Sequence, residues 1–360
     1  MKILLLGFAK IKYTPYASLY IENIDKEKND VTFLYWNRDC KEETLPYSGI
    51  NYCEFKCYQE DDVPKWKKVL NFFKYRSFVK KHLKENKYDF AVVLSTIPGV
   101  LLGGLLKPFA GKYIFDYRDA TYERYGFYKK KVAKLVEGSC ATFVSSDGFR
   151  PLLPDSEKIH TTHNILTDSL NHRDENRLYG VKSDKIRIAF WGLLRPYGLN
   201  ETIVSRLAND ERFELHYYGR EQDIALRLKE YVKAIGAGNI FFHGEYKPAD
   251  RYEFAKVSDL IHNMYGKGGG TMLMANKYYD GAIFRIPQLC TAGSFMAEAA
   301  ERAGIGIGID PADEHFADIV YDYYTKLDRE DFDEKCDIEL NRILSEFYGG
   351  TKLIREITGS

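Results

Sequence analysis

The stretch His262–Pro287, HNMYGKGGGTMLMANKYYDGAIFRIP, decides how the chain is read. It begins at the polar end of an apolar segment, Val257-Ser258-Asp259-Leu260-Ile261, and passes through Gly268-Gly269-Gly270-Thr271. A helix-length segment carrying Lys277 and Asp280 follows, and Pro287 leads into the apolar Gln288-Leu289-Cys290. A strand, a glycine turn and a helix start leave free backbone N–H groups at the positive end of a helix dipole, an anion site usually occupied by phosphate. Lys277 and Asp280 are three apart and share a helix face. A cation for phosphate and a carboxylate for sugar hydroxyls suit a nucleotide-sugar. A flexible glycine loop before an ordinary helix is the plainer reading, and the rest of the chain has to choose.

Outward from this stretch, strand and helix alternate twice. Ile3–Phe8 is a continuous apolar run, as expected for a strand buried in a parallel sheet. Ala9-Lys10-Ile11-Lys12-Tyr13-Thr14-Pro15 follows it, so the glycine fingerprint of dinucleotide-binding folds is absent where it belongs. Val31–Trp36, Phe90–Leu94, Tyr113–Asp119, Ala141–Ser146 and Ile159–Ile165 read as further strands. Thr167–Ser183 is polar and without period, as a linker is. The pattern restarts at Ile186–Gly192, which mirrors the first strand and its glycine. Phe213–Tyr218, Ile240–Phe242 and Gly304–Asp310 then alternate with helices. The expected class is α/β with two Rossmann-like, doubly wound parallel sheets. The expected domains are 1–166, a linker at 167–185, 186–347, and a final helix in 348–360 set off by Gly349-Gly350.

With 360 residues the chain is long enough for two ordinary domains. Lys+Arg and Asp+Glu are equal at 52 each, so no global charge points to nucleic acid. The six cysteines form no CxxC and join no histidine at zinc spacing. They read as reduced thiols of a cytoplasmic protein. The N-terminal apolar run is too short for a signal peptide, and no segment nears the ~20 apolar residues that span a bilayer.

Lys65–Lys87 reads as a long helix with apolar Trp66, Val69, Leu70, Phe73, Phe78, Val79 and Leu83 at mostly helical spacing. Lysines and Arg76 surround them, against the single acid Glu85. Two readings stand. One is a basic amphipathic helix on the inner, anionic face of a membrane, helped by a second cluster at Lys129-Lys130-Lys131 and Lys134. The other is a packed helix with a solvated charged face.

The ordered series of segments resembles the GT-B glycosyltransferases, and within them the retaining family 4 type found in bacterial capsule and surface polysaccharide synthesis. Asn276-Lys277-Tyr278-Tyr279-Asp280, with Pro287 seven residues on, is similar to that family's K-x-x-[DE]…G-x-P segment. Phe190–Tyr197 resembles its first C-domain strand and phosphate loop, Leu215–Arg220 its second strand, and Ile240–Tyr246 the strand ending beside the base. Phe115–Asp119 resembles its D-x-R-D segment and Val144–Phe149 its V-S-E-G-F segment. The resemblance implies two domains facing a cleft. It implies Gly192 and Arg195 in a phosphate loop, and amides of Gly268, Gly269, Gly270 and Thr271 on a diphosphate with Lys277 nearby. Gly219, Arg220, Glu245, Tyr246 and Tyr265 would border the base pocket, and Asp280 would bind the donor ribose. Arg118 and Asp119 would face the acceptor, although a local salt bridge explains them equally. Arg195, Lys277 and Asp119 are the residues expected to act in catalysis. The sequence departs from the pattern twice: Met272 stands where the family has the first acid of its E-x7-E pair, and no lysine follows Arg195 to complete its R-x4-K pair.

The reading that follows is transfer of a sugar from a nucleotide-sugar to a saccharide or lipid-linked acceptor. No metal or other cofactor is expected, because Asp61-Asp62 and Asp331-x-Asp333 are not placed to hold Mg²⁺ between phosphates. A non-catalytic glycan- or partner-binding subunit, favoured by Met272, is the alternative. A nucleotide-sugar epimerase of the same architecture is a third option.

Overall fold

The apolar runs build parallel strands in a computed structural model, which describes residues 1–60, 63–174, 184–247, 250–266 and 271–360. The first half contains β1 (Lys2–Leu6), β2 (Asp30–Asn37), β3 (Asn51–Lys56), β4 (Phe90–Leu94), β5 (Tyr113–Tyr117), β6 (Ala141–Val144) and β7 (Ile159–Thr161). They form a seven-stranded sheet, ordered β3-β2-β1-β4-β5-β6-β7, with every pairing parallel. The second half contains β8 (Ile186–Trp191), β9 (Phe213–Tyr218), β10 (Ile240–Gly244), β11 (Leu260–Asn263), β12 (Gln288–Thr291) and β13 (Gly306–Ile309). Their six-stranded sheet, ordered β10-β9-β8-β11-β12-β13, is also parallel throughout.

Helices connect the strands: α1 (Ser18–Ile21), α2 (Lys65–Glu85), α3 (Thr96–Leu102) and α4 (Gly126–Gly138) in the first half. The second half adds α5 (Tyr197–Leu207), α6 (Asp223–Ala234), α7 (Arg251–Ala255), α8 (Asn276–Phe284), α9 (Phe295–Ala303), α10 (Phe316–Thr325) and α11 (Arg329–Thr358). The chain divides into two compact units, Met1–His163 with Ser345–Ser360, and Asn164–Leu344. Each has its own core. Ile3, Leu5, Phe33, Val92 and Ile114 lie at the centre of one, and Ile188, Phe190, Leu215, Leu228 and Leu260 at the centre of the other. In both sheets the chain winds outward, returns, and winds the other way, reversing between β1 and β4 and between β8 and β11. Carboxyl ends of strands diverge at such a reversal and leave a crevice for a ligand.

Three local expectations change. β3 was not read from the sequence. It is an edge strand with mostly half-exposed side chains, so Asn51–Lys56 lacks the apolar run that marks the inner strands. Gly349-Gly350 does not break the C-terminal helix, since α11 is continuous through it. A side chain at Gly350 would lie 2.9 Å from Thr162 Cγ2, so the glycine serves close packing there. On α2 the buried face is Asn71, Tyr75 and Val79, while Trp66, Val69, Leu70 and Phe73 are exposed. Tyr75 sets that orientation. Its ring stacks on Trp36 at 5.3 Å and its hydroxyl donates to the Gly7 carbonyl at 2.5 Å. No helix among the described residues is long and apolar enough to cross a membrane.

Candidate functional site

The reversal between β8 and β11 gathers the polar groups of the second unit. Gly192 ends β8 with φ +131°, a conformation that side chains rarely adopt. Gly219 ends β9, and a Cβ there would lie 2.0 Å from the Gly192 carbonyl oxygen. The two strand ends therefore close together only as glycines. Their amides are committed inside the sheet extension: Gly192 N–H donates to the Tyr218 carbonyl at 2.9 Å and Gly219 N–H to that of Gly244 at 2.8 Å. What these glycines offer a ligand is room. A Cβ on Gly192 would stand 3.8 Å from Lys277 Nζ.

Lys277 is the unusual group. It is 5% exposed, on an α8 whose residues from Lys277 to Phe284 are all buried. Its ammonium donates to the Tyr265 hydroxyl at 2.6 Å and lies 4.2 Å from the centre of the Phe190 ring. Among the described residues no carboxylate lies within 4.0 Å of it. Tyr265 is pinned by Thr291, whose hydroxyl accepts from the Tyr265 amide at 2.8 Å and donates to its carbonyl at 2.7 Å. His262, fully buried on β11, accepts from the Met264 amide at Nδ1, 3.2 Å, and so donates from Nε2 to Asn200 Oδ1, 3.1 Å. Burial, with Lys277 nearby, lowers the imidazole to about 3, so it stays neutral.

Asp280 has partners of its own. One of its oxygens accepts from Trp191 Nε1 at 2.8 Å and lies 3.6 Å from the Arg251 guanidinium. Burial raises this carboxyl, while Arg251, Trp191 and Lys277 pull it down. Arg251 reaches it from the short helix α7, which Phe254 seats on Tyr218 with ring centres 4.3 Å apart. Gln288 ties the floor together. It accepts from Asn263 at 2.9 Å and donates to the Tyr278 carbonyl at 3.1 Å, and a Cβ on Gly281 would collide with it at 2.4 Å.

The remaining expected residues of this unit also follow strand ends. Arg195 is exposed between β8 and α5, Arg220 is exposed after β9, and Glu245 and half-buried Tyr246 follow β10. Thr271 and Met272 are half-buried before α8, while Gly268, Gly269 and Gly270 lie outside the described residues. A small hollow is lined by Gly192, Tyr218, Gly219, Arg220 and Gly244. Trp191, Arg251, Asn200 and Gln288 were not singled out from the sequence. Only Trp191, at the end of a predicted strand, carried a usable signal.

The first unit has its own polar group at the carboxyl end of β5. Arg118 Nε pairs with both oxygens of Asp116, at 2.8 and 3.0 Å, and both residues are buried. Arg118 therefore makes a local salt bridge, with Asp116 as its carboxylate. Burial raises the Asp116 carboxyl against the pull of Arg118. Asp119 is exposed, and its carbonyl accepts from the Thr96 hydroxyl at 3.0 Å. Crowding raises the Asp119 carboxyl too, opposed by Arg118 and reinforced by Glu123.

No protein-family model matches the chain. No curated protein matches it in sequence. Solved structures do match in fold. The sucrose-phosphate synthase of Thermosynechococcus elongatus superposes with a TM-score of 0.73 at 10% identity, over 99% of this chain and 98% of that one. Anabaena HepE, in complex with UDP and glucose, gives 0.67 at 12% identity over 100% of both. The lipopolysaccharide outer core galactosyltransferase WaaB, in its apo form, gives 0.66 at 11% over 98% and 99%. The chain has the fold of GT-B glycosyltransferases, two parallel-sheet α/β domains.

Proposed function

We propose that the chain is a nucleotide-sugar-dependent glycosyltransferase. It moves a hexosyl group to a saccharide or lipid-linked saccharide acceptor in surface polysaccharide synthesis, with retention and without metal. One observation carries the donor side: Lys277 is a buried ammonium without a carboxylate partner among the described residues. A buried charge is costly unless a counter-charge meets it. A diphosphate against Gly192 supplies that counter-charge. HepE, a structural neighbour crystallised with UDP and glucose, and WaaB, a galactosyltransferase of lipopolysaccharide core, support the donor class and the polysaccharide role.

In the proposed reaction the anomeric C–O bond to the diphosphate breaks and its electron pair leaves with the nucleotide. The acceptor oxygen forms the new C–O bond, and its proton passes to the departing phosphate oxygen. Negative charge grows on the departing phosphate, where Lys277 and the exposed Arg195 oppose it; fixed charges aimed at a developing anion lower the barrier. Tyr265, locked by Thr291, holds the ammonium in place. In this reading the ribose contact assigned to Asp280 uses a carboxylate already oriented by Trp191 and Arg251. Asp119 belongs to the acceptor side.

The test is release of nucleoside diphosphate from UDP-, GDP-, dTDP- and ADP-sugars. One donor is hydrolysed by the wild type, and Lys277→Met slows this by about a hundredfold. Donor binding with no turnover by the wild type would instead support the non-catalytic reading that Met272 favours. Conversion of the donor to an isomer without acceptor would identify an epimerase.

A further inference from the structure

The two-sided burial of the inner strands fails at one corner of the second sheet. Along β9 buried and half-exposed residues alternate, with Phe213, Leu215 and Tyr217 inside and Glu214, His216 and Tyr218 on the other face. The edge strand β10 adds Phe241 and His243 to that face, both exposed. Such alternation marks a sheet face left to solvent. Glu214, His216 and His243 take no part in the proposed reaction.

His216 Nδ1 and His243 Nε2 lie 3.0 Å apart across the two strands. On its other side His216 Nε2 meets Glu214 Oε2 at 3.3 Å. A carboxylate only accepts, so Nε2 carries the proton and Nδ1 presents a lone pair. Arg187, in register with Glu214 on β8, holds that carboxylate at 3.2 Å. The Phe241 ring packs on His216 at 4.9 Å and the Tyr218 ring on His243 at 4.2 Å. Burial lowers both imidazoles below the ordinary histidine value, against the pull of Glu214 on His216, so neither is charged at neutral pH.

We propose that this histidine pair is a site for a divalent transition-metal ion of the copper, nickel or zinc kind, with Glu214 as the group that orients His216. Two nitrogens each about 2.0–2.1 Å from one ion stand about 2.9–3.4 Å apart in square or tetrahedral geometry. The spacing of 3.0 Å falls in that range. The rings lie within 9° of parallel, and a tilt of the exposed His243 turns both lone pairs onto one point. His243 ligates through Nε2 once its proton moves to Nδ1, so no proton is lost overall. A carboxylate on the far nitrogen is the usual outer partner of a metal-bound histidine. Imidazole suits copper, nickel and zinc, whereas magnesium and calcium take oxygen ligands. Among the described residues no three His, Cys, Asp or Glu side chains converge, so water or an outside ligand completes the coordination. The inference is independent of the donor site, because it needs no nucleotide and serves no step of the transfer.

The untagged full chain, stripped with chelator and dialysed, is titrated calorimetrically with Cu²⁺, Ni²⁺, Zn²⁺ and Mg²⁺ chlorides near neutral pH. The expected result is a single saturable equivalent of the transition metals, tightest for Cu²⁺, and none of Mg²⁺. The Cu²⁺ spin resonance spectrum shows nitrogen hyperfine structure from two imidazoles. Glu214→Gln weakens Cu²⁺ binding by about tenfold. His243→Ala weakens it further and leaves one imidazole in the spectrum, with thermal unfolding unchanged because the ring is exposed. Absence of a saturable equivalent overturns the inference. So does wild-type affinity or an unchanged spectrum in His243→Ala, which would put the ion on another histidine.

Discussion

Each sheet carries a buried acid and a buried base near the carboxyl ends of its central strands, and the two pairs are built differently. In the first unit Asp116 and Arg118 close on each other with two hydrogen bonds from one nitrogen. In the second, Lys277 and Asp280 take different partners. The lysine goes to a neutral hydroxyl and an aromatic ring, and the carboxylate to Trp191 and Arg251. A closed pair neutralises itself and needs no visitor. An ammonium held among neutral groups beside a glycine turn waits for an anion. Both units share the parallel-sheet fold, and the open cation is what sets the second apart.

The largest effect expected from breaking this contrast is on stability in the first unit. Arg118→Met leaves Asp116 buried without its cation and costs roughly 3–5 kcal/mol in urea unfolding. Asp116 already has a raised carboxyl pKa. Its protonated form is favoured in acid, so the cost of the variant shrinks as pH falls and grows as pH rises through the folded-state value. Nucleotide binding by the second unit is unchanged. A variant as stable as wild type at neutral pH would make the pair incidental.

The next effect is a pH dependence in the second unit. His262 is held neutral, with its pKa lowered from 6.5 to about 3. In the unfolded chain it gains a proton near its ordinary value, while the folded chain resists. Its contribution is full above about pH 6.5 and is lost as pH falls toward 3, about 3 kcal/mol by about pH 4. Asp280, raised by burial, acts in the opposite sense, so the histidine's share is read as the difference between wild type and His262→Gln. Parallel acid limbs for the two proteins would show that the imidazole titrates normally.

The smallest effect sharpens the Asp280 side. Trp191→Phe keeps the ring against Phe254 and removes the donor to Asp280. It costs about 1 kcal/mol of stability. A loss several times larger would mean that the indole, more than Arg251, holds the carboxylate.

Both sheets were legible from sequence because parallel strands are buried on two faces and read as unbroken apolar runs, as at Ile3–Leu6 and Ile186–Trp191. The edge strand β3 escaped for the converse reason. Lys277 was visible through its motif, and Gly192 through its place at a strand end. The groups around them were not. Trp191 meets Asp280 across 89 residues of chain and Asn200 meets His262 across 62, contacts set by the crossover that seats β11 beside β8. Local spacing carries no trace of that. Lys277 and Asp280, three apart on α8, take different neighbours on a helix that is buried nearly all round. Spacing on α2 showed an apolar stripe, and only burial showed that it faces outward.

The central claim is that Lys277 holds a place for a nucleotide's phosphates. Thermal unfolding of wild type and Lys277→Met, each screened against UDP, GDP, dTDP and ADP, tests it directly. One nucleotide at about 100 times its Kd should stabilise the wild type by ~2.7 kcal/mol. The variant alone should melt no lower than wild type, since it exchanges a buried charge for an apolar chain, and the same nucleotide should no longer shift it. No shift of the wild type by any of the four, or a shift that survives in Lys277→Met, would contradict the account.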